Sequence, residues 1–258
     1  MFKRTQLLLA SLVLLLLMLP LAASAQMQQE PPTFTMVSEW VIPRAQWDDY
    51  VAFGKKNAQP LFERLLADGT IVGWGMYETV VHQEDRETHG SWFEATSLAN
   101  IEKTLAELRK LPPNPIVNNV KHHDVLIRSP FSRRKAGSGT NGYLLVSSTK
   151  VQPGKGQEWR ELWDKYTKPG YEEAFASGML AGFWIDVEQI HTDDPGWRYS
   201  VLLYPNADAM DKFGAAAQAA GAKRGAEANQ AIGRMFAEVS VAGVHRDYFA
   251  RVLAYGQK

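Results

Sequence analysis

The stretch "VKHHDVLIR" fills Val120 to Arg128, and "GVHRDYFAR" fills Gly243 to Arg251. Both write His, one basic residue, Asp, three intervening residues and Arg. A motif repeated at identical internal spacing points to duplication, so each half of the chain should carry one copy of the same element order. Sliding one half over the other at a constant offset of 109 aligns Pro60 with Pro169, Gly69 with Gly178, Gly73 with Gly182, His82 with His191, Ser91 with Ser200 and Lys103 with Lys212. Beyond Lys103 the offset grows, because the Ala-rich stretch "GAAAQAAGAKRGAEANQAIGRMF" lengthens the second half. The two opening motifs then form the last element of each half.

Period assigns the remaining elements. "FTMVSEWVI" and "GYLLVSSTKV" read as strands, and the segments that follow them carry Trp47, Tyr50, Val51 and Phe62, or Trp159, Leu162, Trp163 and Tyr166, at helical spacing. Pro60 and Pro169 are expected to kink or break these helices. Gly69 and Gly178 sit where a left-handed cap is wanted. "TIVGWGMYETVVH" with "GSWFEAT", and "MLAGFWIDVEQIH" with "RYSVLLY", read as hairpins across acidic turns. A second helix follows in each half, from about Ser97 to Lys110 and from Asn206 to about Phe236, and then the motif strand. The polar, Gly- and Ser-bearing run Ser129 to Gly142 reads as a linker between a first repeat at 26–128 and a second at 143–258.

The order in each half is β-α-β-β-α-β, an α+β arrangement of the ferredoxin-like type. Such a sheet has helices on one face only, and two units in one chain can cover each other's open face. On these repeated Pro-to-Gly and Gly-to-His spacings the chain, from about Phe34 to Tyr255, resembles the dimeric α/β barrel superfamily, which includes the antibiotic-biosynthesis monooxygenase-like, stress-responsive barrel and haem-degrading families. The resemblance implies two ferredoxin-like repeats forming one intramolecular barrel around a central cavity. It does not select among the functions that fold carries.

Lys3 and Arg4, the apolar run "LLLASLVLLLLMLPLA" and the small residues Ala23, Ser24 and Ala25 form the three-part pattern of a signal peptide over 1–25, cleaved before Gln26; an uncleaved N-terminal anchor is the alternative. The mature chain is then periplasmic or secreted, without stable membrane association. There is no cysteine, which rules out disulfides, thiolate nucleophiles and a lipid anchor. Basic and acidic residues balance at 28 each, and removing Lys3 and Arg4 leaves 26 basic, so nothing in the charge asks for nucleic acid.

In an extended segment His122, Asp124 and Arg128 share one face, as do His245, Asp247 and Arg251. A carboxylate two residues from an imidazole can orient the ring and raise its pKa, as a general base requires, or can simply pin a strand end. His82 and His191, near Asp85 or Asp193 and Asp194, suggest a metal site only if a pseudo-twofold axis unites them, and a surface hairpin position is the plainer reading, so no metal is assigned. Trp74, Tyr77, Trp92, Trp184 and Tyr204 lie on strands that either line the cavity or pack beneath helices, and with Arg128 and Arg251 they are the candidate ligand contacts. Period alone does not say which strand face looks inward. Gly73 and Gly182 suggest close backbone approach. Haem-binding relatives carry their iron ligand on a helix, whereas all six histidines here fall in strands, turns or strand ends, so no cofactor is expected.

Three functions are compatible with this reading. The first is binding of a small, largely apolar molecule between the repeats. The second is a cofactor-independent oxygenase or isomerase that uses one His-Asp pair as base. The third is an interaction module whose surface is the Ala-rich helix. A monomer is expected, because one chain completes the barrel, and a further homodimer is compatible with the sequence.

Overall fold

The computed structural model describes residues 32–191 and 195–258, so the expected signal peptide and Asp193 and Asp194 lie outside the described residues. The described chain belongs to one compact unit. Its elements run β1 (Thr33–Trp40), α1 (Trp47–Ala67), β2 (Gly73–Thr79), β3 (His89–Ala95), α2 (Leu98–Leu108), β4 (His122–Arg134), β5 (Gly137–Gly139), β6 (Gly142–Val151), α3 (Gly156–Tyr166), α4 (Lys168–Ala176), β7 (Gly182–Glu188), β8 (Trp197–Tyr204), α5 (Ala207–Arg224), α6 (Ala226–Val239) and β9 (Ser240–Gln257).

Neighbouring strands follow the order β2-β3-β1-β4-β7-β8-β6-β9, and β9 pairs back onto β2, so eight strands close an antiparallel barrel. Closure removes the exposed edges that an open sheet of this size would present. The pairing order of the first four strands, β2-β3-β1-β4, recurs as β7-β8-β6-β9. Each seam carries one register shift, in β4 between Arg128 and Phe131 against β7, and between Met76 and Tyr77 of β2 against β9. Such irregularities bend strands and help a sheet to close.

The elements arise where the local chemistry demands. Ser97 caps α2 by accepting from the Asn100 amide at 3.2 Å, and Asn206 caps α5 by accepting from the Ala209 amide at 2.9 Å. Gly69 and Gly178 take φ of 83° and 85° just beyond the first helical segment of each half, as the cap reading anticipates. Pro169 coincides with a break, α3 ending at Tyr166 and α4 starting at Lys168. Pro60 does not break its helix. α1 runs continuously through it, and the cost of about 3 kcal/mol for an interior proline is offset by burial of Leu61, Phe62 and Leu65 immediately after it. The Ala-rich helix is split at Gly225, whose φ of 88° stops α5.

The stretch expected to be a linker is mostly sheet. Ser129–Arg134 continues β4 and pairs with β7, and Gly137–Gly139 pairs with the end of β9. Its polar residues are used on both faces of the strand. Arg133 reaches Glu172 on α4 at 3.3 Å outside the barrel, while Arg134 reaches Glu94 inside it at 2.6 Å.

Three apolar clusters result. One packs α1 and α2 onto the outer face of β1, β2 and β3 around Phe62, Trp74 and Phe93. A second packs α3 to α6 onto β7 and β8 around Trp163, Phe183 and Tyr204. The third contains no helix residue and fills the barrel interior with Tyr77, Trp92, Trp184, Leu203, Val252 and Tyr255. Glycine makes room for these rings. A methyl group on Gly75 would lie 2.1 Å from Trp92, and one on Gly90 would lie 2.3 Å from Tyr77; both are cross-strand partners. Gly182 is covered by Trp184 of its own strand, the close approach its sequence position suggests, whereas a methyl group on Gly73 would come no nearer than 3.3 Å, to Glu94.

Candidate functional site

The barrel interior is closed at one end and open at the other. At the closed end Glu94 accepts from Arg134 Nη1 at 2.6 Å, from Trp184 Nε1 at 3.1 Å and from the Thr33 hydroxyl. Glu94, Trp184 and Thr33 are buried and Arg134 is half-buried. Toward the opposite end, the interior residues Val37, Val125, Val146 and Val201 are partly exposed, although Leu144, Leu203, Ala250 and Val252 one level deeper are not. These valines are register partners, Val37 with Val125 and Val146 with Val201, so the two halves of the chain contribute equally to an apolar floor. The partly exposed valines give this end, the mouth of the barrel, an aliphatic base.

Its rim is polar and connected. Tyr77 donates to Glu39 Oε1 at 2.6 Å, and Glu39 Oε2 lies 3.2 Å from His123 Nε2. The other ring nitrogen, Nδ1, lies 3.4 Å from Glu87 Oε1. Protonated imidazole donates from both nitrogens, so this bracket favours the charged ring. The hydrogen bond to Glu39 is the largest cause that raises the pKa of His123, with partial burial opposing it and the charges of Glu39, Glu87 and Asp124 adding to it. Tyr77 and Tyr248 are held well above the ordinary phenol value, chiefly by burial, and so remain hydrogen-bond donors. Thr79 gives its one hydroxyl hydrogen to the Glu87 carbonyl at 2.9 Å, which leaves Tyr248 to donate to Thr79 across 2.6 Å. On the opposite wall Tyr199 donates to Glu188 Oε1 at 3.0 Å.

The residues singled out in the sequence divide sharply. Tyr77, Trp92 and Trp184 face the interior, as a cavity lining requires. Trp74 and Tyr204 do not; they belong to the two helix-covered cores, because alternation along β2 and β8 sends them outward. Arg128 and Arg251 also point outward, opposite Phe34 and Tyr143. Both His-Asp pairs form, with His245 Nε2 3.1 Å from Asp247 Oδ1 and His122 Nε2 3.9 Å from Asp124 Oδ2. Yet both lie on the outer face of the barrel, exposed by 54 and 43% for His122 and Asp124 and by 58% for each residue of the other pair, so neither can act on a molecule inside it. His122 instead stacks on Trp40, with ring centroids 6.5 Å apart. His82 packs on Trp47, and no group of three potential metal ligands occurs among the described residues.

His123, Glu39 and the valine floor were missed. The duplicated motif drew attention to His122, while the residue beside it, of opposite parity, is the one that looks inward. The alternation of His123, Val125 and Ile127 was the available signal.

No protein-family model and no curated protein sequence matches the chain. Solved structures do. The chain is similar to a provisionally assigned monooxygenase from Lactobacillus acidophilus, with TM-score 0.62 and 11% identity over 88% of this chain and 97% of that one. A provisionally assigned monooxygenase from Fusobacterium nucleatum gives 0.58 and 10% over 88% and 94%. An anthrone oxidase-like protein gives 0.54 and 12%, again over 88% and 94%. At these identities the likeness is one of fold, a closed antiparallel barrel flanked by helices.

Proposed function

We propose that this chain is an exported barrel, built from two ferredoxin-like repeats, that binds a small, largely apolar molecule in its open mouth and moves a proton at it through His123 and Glu39. One observation carries the reading: an interior-facing histidine, bracketed by two carboxylates and joined through Glu39 to a buried tyrosine, stands at the rim of a partly exposed valine floor drawn from both repeats. The carboxylates that raise its pKa make such a ring a proton donor held in place. Glu39 orients it and can share its proton, and the Tyr77 hydroxyl supplies a fixed donor beside it. This supports proton transfer at the bound molecule, as an oxygenase or isomerase of the cofactor-independent kind requires, with the charged His123 read as the group that gives the proton and takes it back, in preference to the outward His-Asp pairs. One chain closes the barrel, so the working unit is a monomer.

The test is binding of the neutral apolar fluorophore N-phenyl-1-naphthylamine. Enhanced fluorescence that disappears in Val146→Trp, which fills the mouth, is the expected result. Enhancement unchanged by that substitution would place the bound probe elsewhere and defeat the reading.

A further inference from the structure

The strand paired with that of His123 carries two carboxyl groups that the proposed proton transfer does not use. Asp186 and Glu188 stand two residues apart on β7, a strand whose alternation puts both on the interior face with Trp184. Asp186 is 3% exposed, and its Oδ1 is buried with no hydrogen-bond partner. Glu188 Oε1 accepts from Tyr199, but its Oε2 is likewise buried without a partner. Ser129, in the register shift of β4, sets its hydroxyl beside Asp186 without full hydrogen-bond geometry. An unmet buried polar group costs on the order of 1–3 kcal/mol, and Asp186 and Glu188 each keep one carboxyl oxygen unmet on the same stretch of interior wall.

Resting on the mouth as the binding site, we propose that Asp186 and Glu188 hold the polar head of the bound molecule, Asp186 giving a hydrogen bond to an acceptor and Glu188 taking one from a donor. The molecule is then an apolar body with a carbonyl adjacent to an N–H or O–H, as in an amide, a lactam or a hydroxy-ketone. The two carboxyls suit complementary roles. Burial holds Asp186 well above the usual carboxyl range, the nearby Glu94 charge adds to this, and the Ser129 hydroxyl opposes it only in part, so Asp186 keeps the proton it would donate. Glu188, already held by Tyr199, presents its second oxygen as an acceptor. Such a grip fixes the head on β7, beside the strand of His123, and leaves the body over the valines.

The probes are 2-naphthamide and 2-methylnaphthalene, which share a ring system and differ in the head, with affinities measured by equilibrium dialysis. The wild type should bind the amide at least about tenfold more tightly. Asp186→Leu and Glu188→Met should each remove most of that preference while the hydrocarbon affinity stays unchanged, circular dichroism confirming the fold. Should Asp186→Leu fail to fold, Glu188→Met alone decides. Equal wild-type affinities, or a preference retained in Glu188→Met, would overturn the head-group assignment while leaving the mouth as a site. Failure of the wild type to retain either probe would overturn the mouth itself, and the assignment with it.

Discussion

Adding one carbon to Gly75 should destabilise the barrel, and the reason is geometric. An alanine Cβ there would sit 2.1, 2.3 and 2.5 Å from three ring atoms of Trp92, its partner across β2 and β3. Carbon atoms rest at about 3.5–4.0 Å, so the indole would have to withdraw by more than about 1 Å. It has little room to do so, because Trp92 is buried and Tyr77 stands 5.9 Å away, centroid to centroid. Overpacking of this kind costs about 1–3 kcal/mol, and the crowding here argues for the upper half of that range. For a domain of this size the midpoint falls by about 2–4 °C per kcal/mol, so Gly75→Ala should lower Tm by about 4–12 °C. Differential scanning calorimetry with urea unfolding measures it. Combination with Trp92→Leu isolates the cause, since with the ring gone the alanine should cost nothing and can gain from reduced chain entropy. A neutral Gly75→Ala, or costs that simply add in the double variant, would refute the account of a barrel interior filled by rings laid on glycines.

Three further outcomes follow from the site. Because the pKa of His123 is raised in the folded state, its contribution to stability is complete below its unfolded value near 6.5 and fades as pH rises through the folded value; Glu39→Gln should lower the imidazole pKa in an NMR titration, and an unmoved titration would deny the Glu39 contact. Asp186 behaves oppositely to a paired carboxylate: its raised pKa means the fold is penalised increasingly as pH climbs above the unfolded value of about 3.9, so Asp186→Asn should raise Tm more at pH 8 than at pH 4, and an equal or greater gain at pH 4 would contradict its burial as an acid. His122→Ala and Asp247→Asn, on the outer face, should leave N-phenyl-1-naphthylamine binding within about twofold of wild type, and a tenfold loss in either would return the His-Asp pairs to the site.

Element order, the left-handed caps at Gly69 and Gly178 and the duplicated pairing order all left marks in the sequence, because each depends on local chemistry or on repetition. Strand facing did not. Alternation normally separates a wet face from a dry one, but in this barrel one face of each strand packs on helices and the other on its opposite wall, so both carry apolar residues and the pattern loses its sign. Trp74 and Tyr77 illustrate the result, adjacent in β2 by three positions, equally buried and on opposite sides of the sheet. The same ambiguity hid His123 behind His122. The expected linker misled for a different reason, since serine, glycine and arginine mark exposed chain in most contexts, whereas Arg134 turns inward to Glu94, a partner 40 residues away that only the closed barrel brings near, and Ser132 accepts from Arg134.

The central claim is that the open end of the barrel holds a small molecule. Native mass spectrometry of the wild-type protein and of Val146→Trp, both purified from the host that makes the chain, tests it most directly. An excess mass on the wild type that vanishes on denaturation and is absent from Val146→Trp is the predicted result. An excess carried equally by both proteins, or a bare polypeptide mass for the wild type, would contradict it.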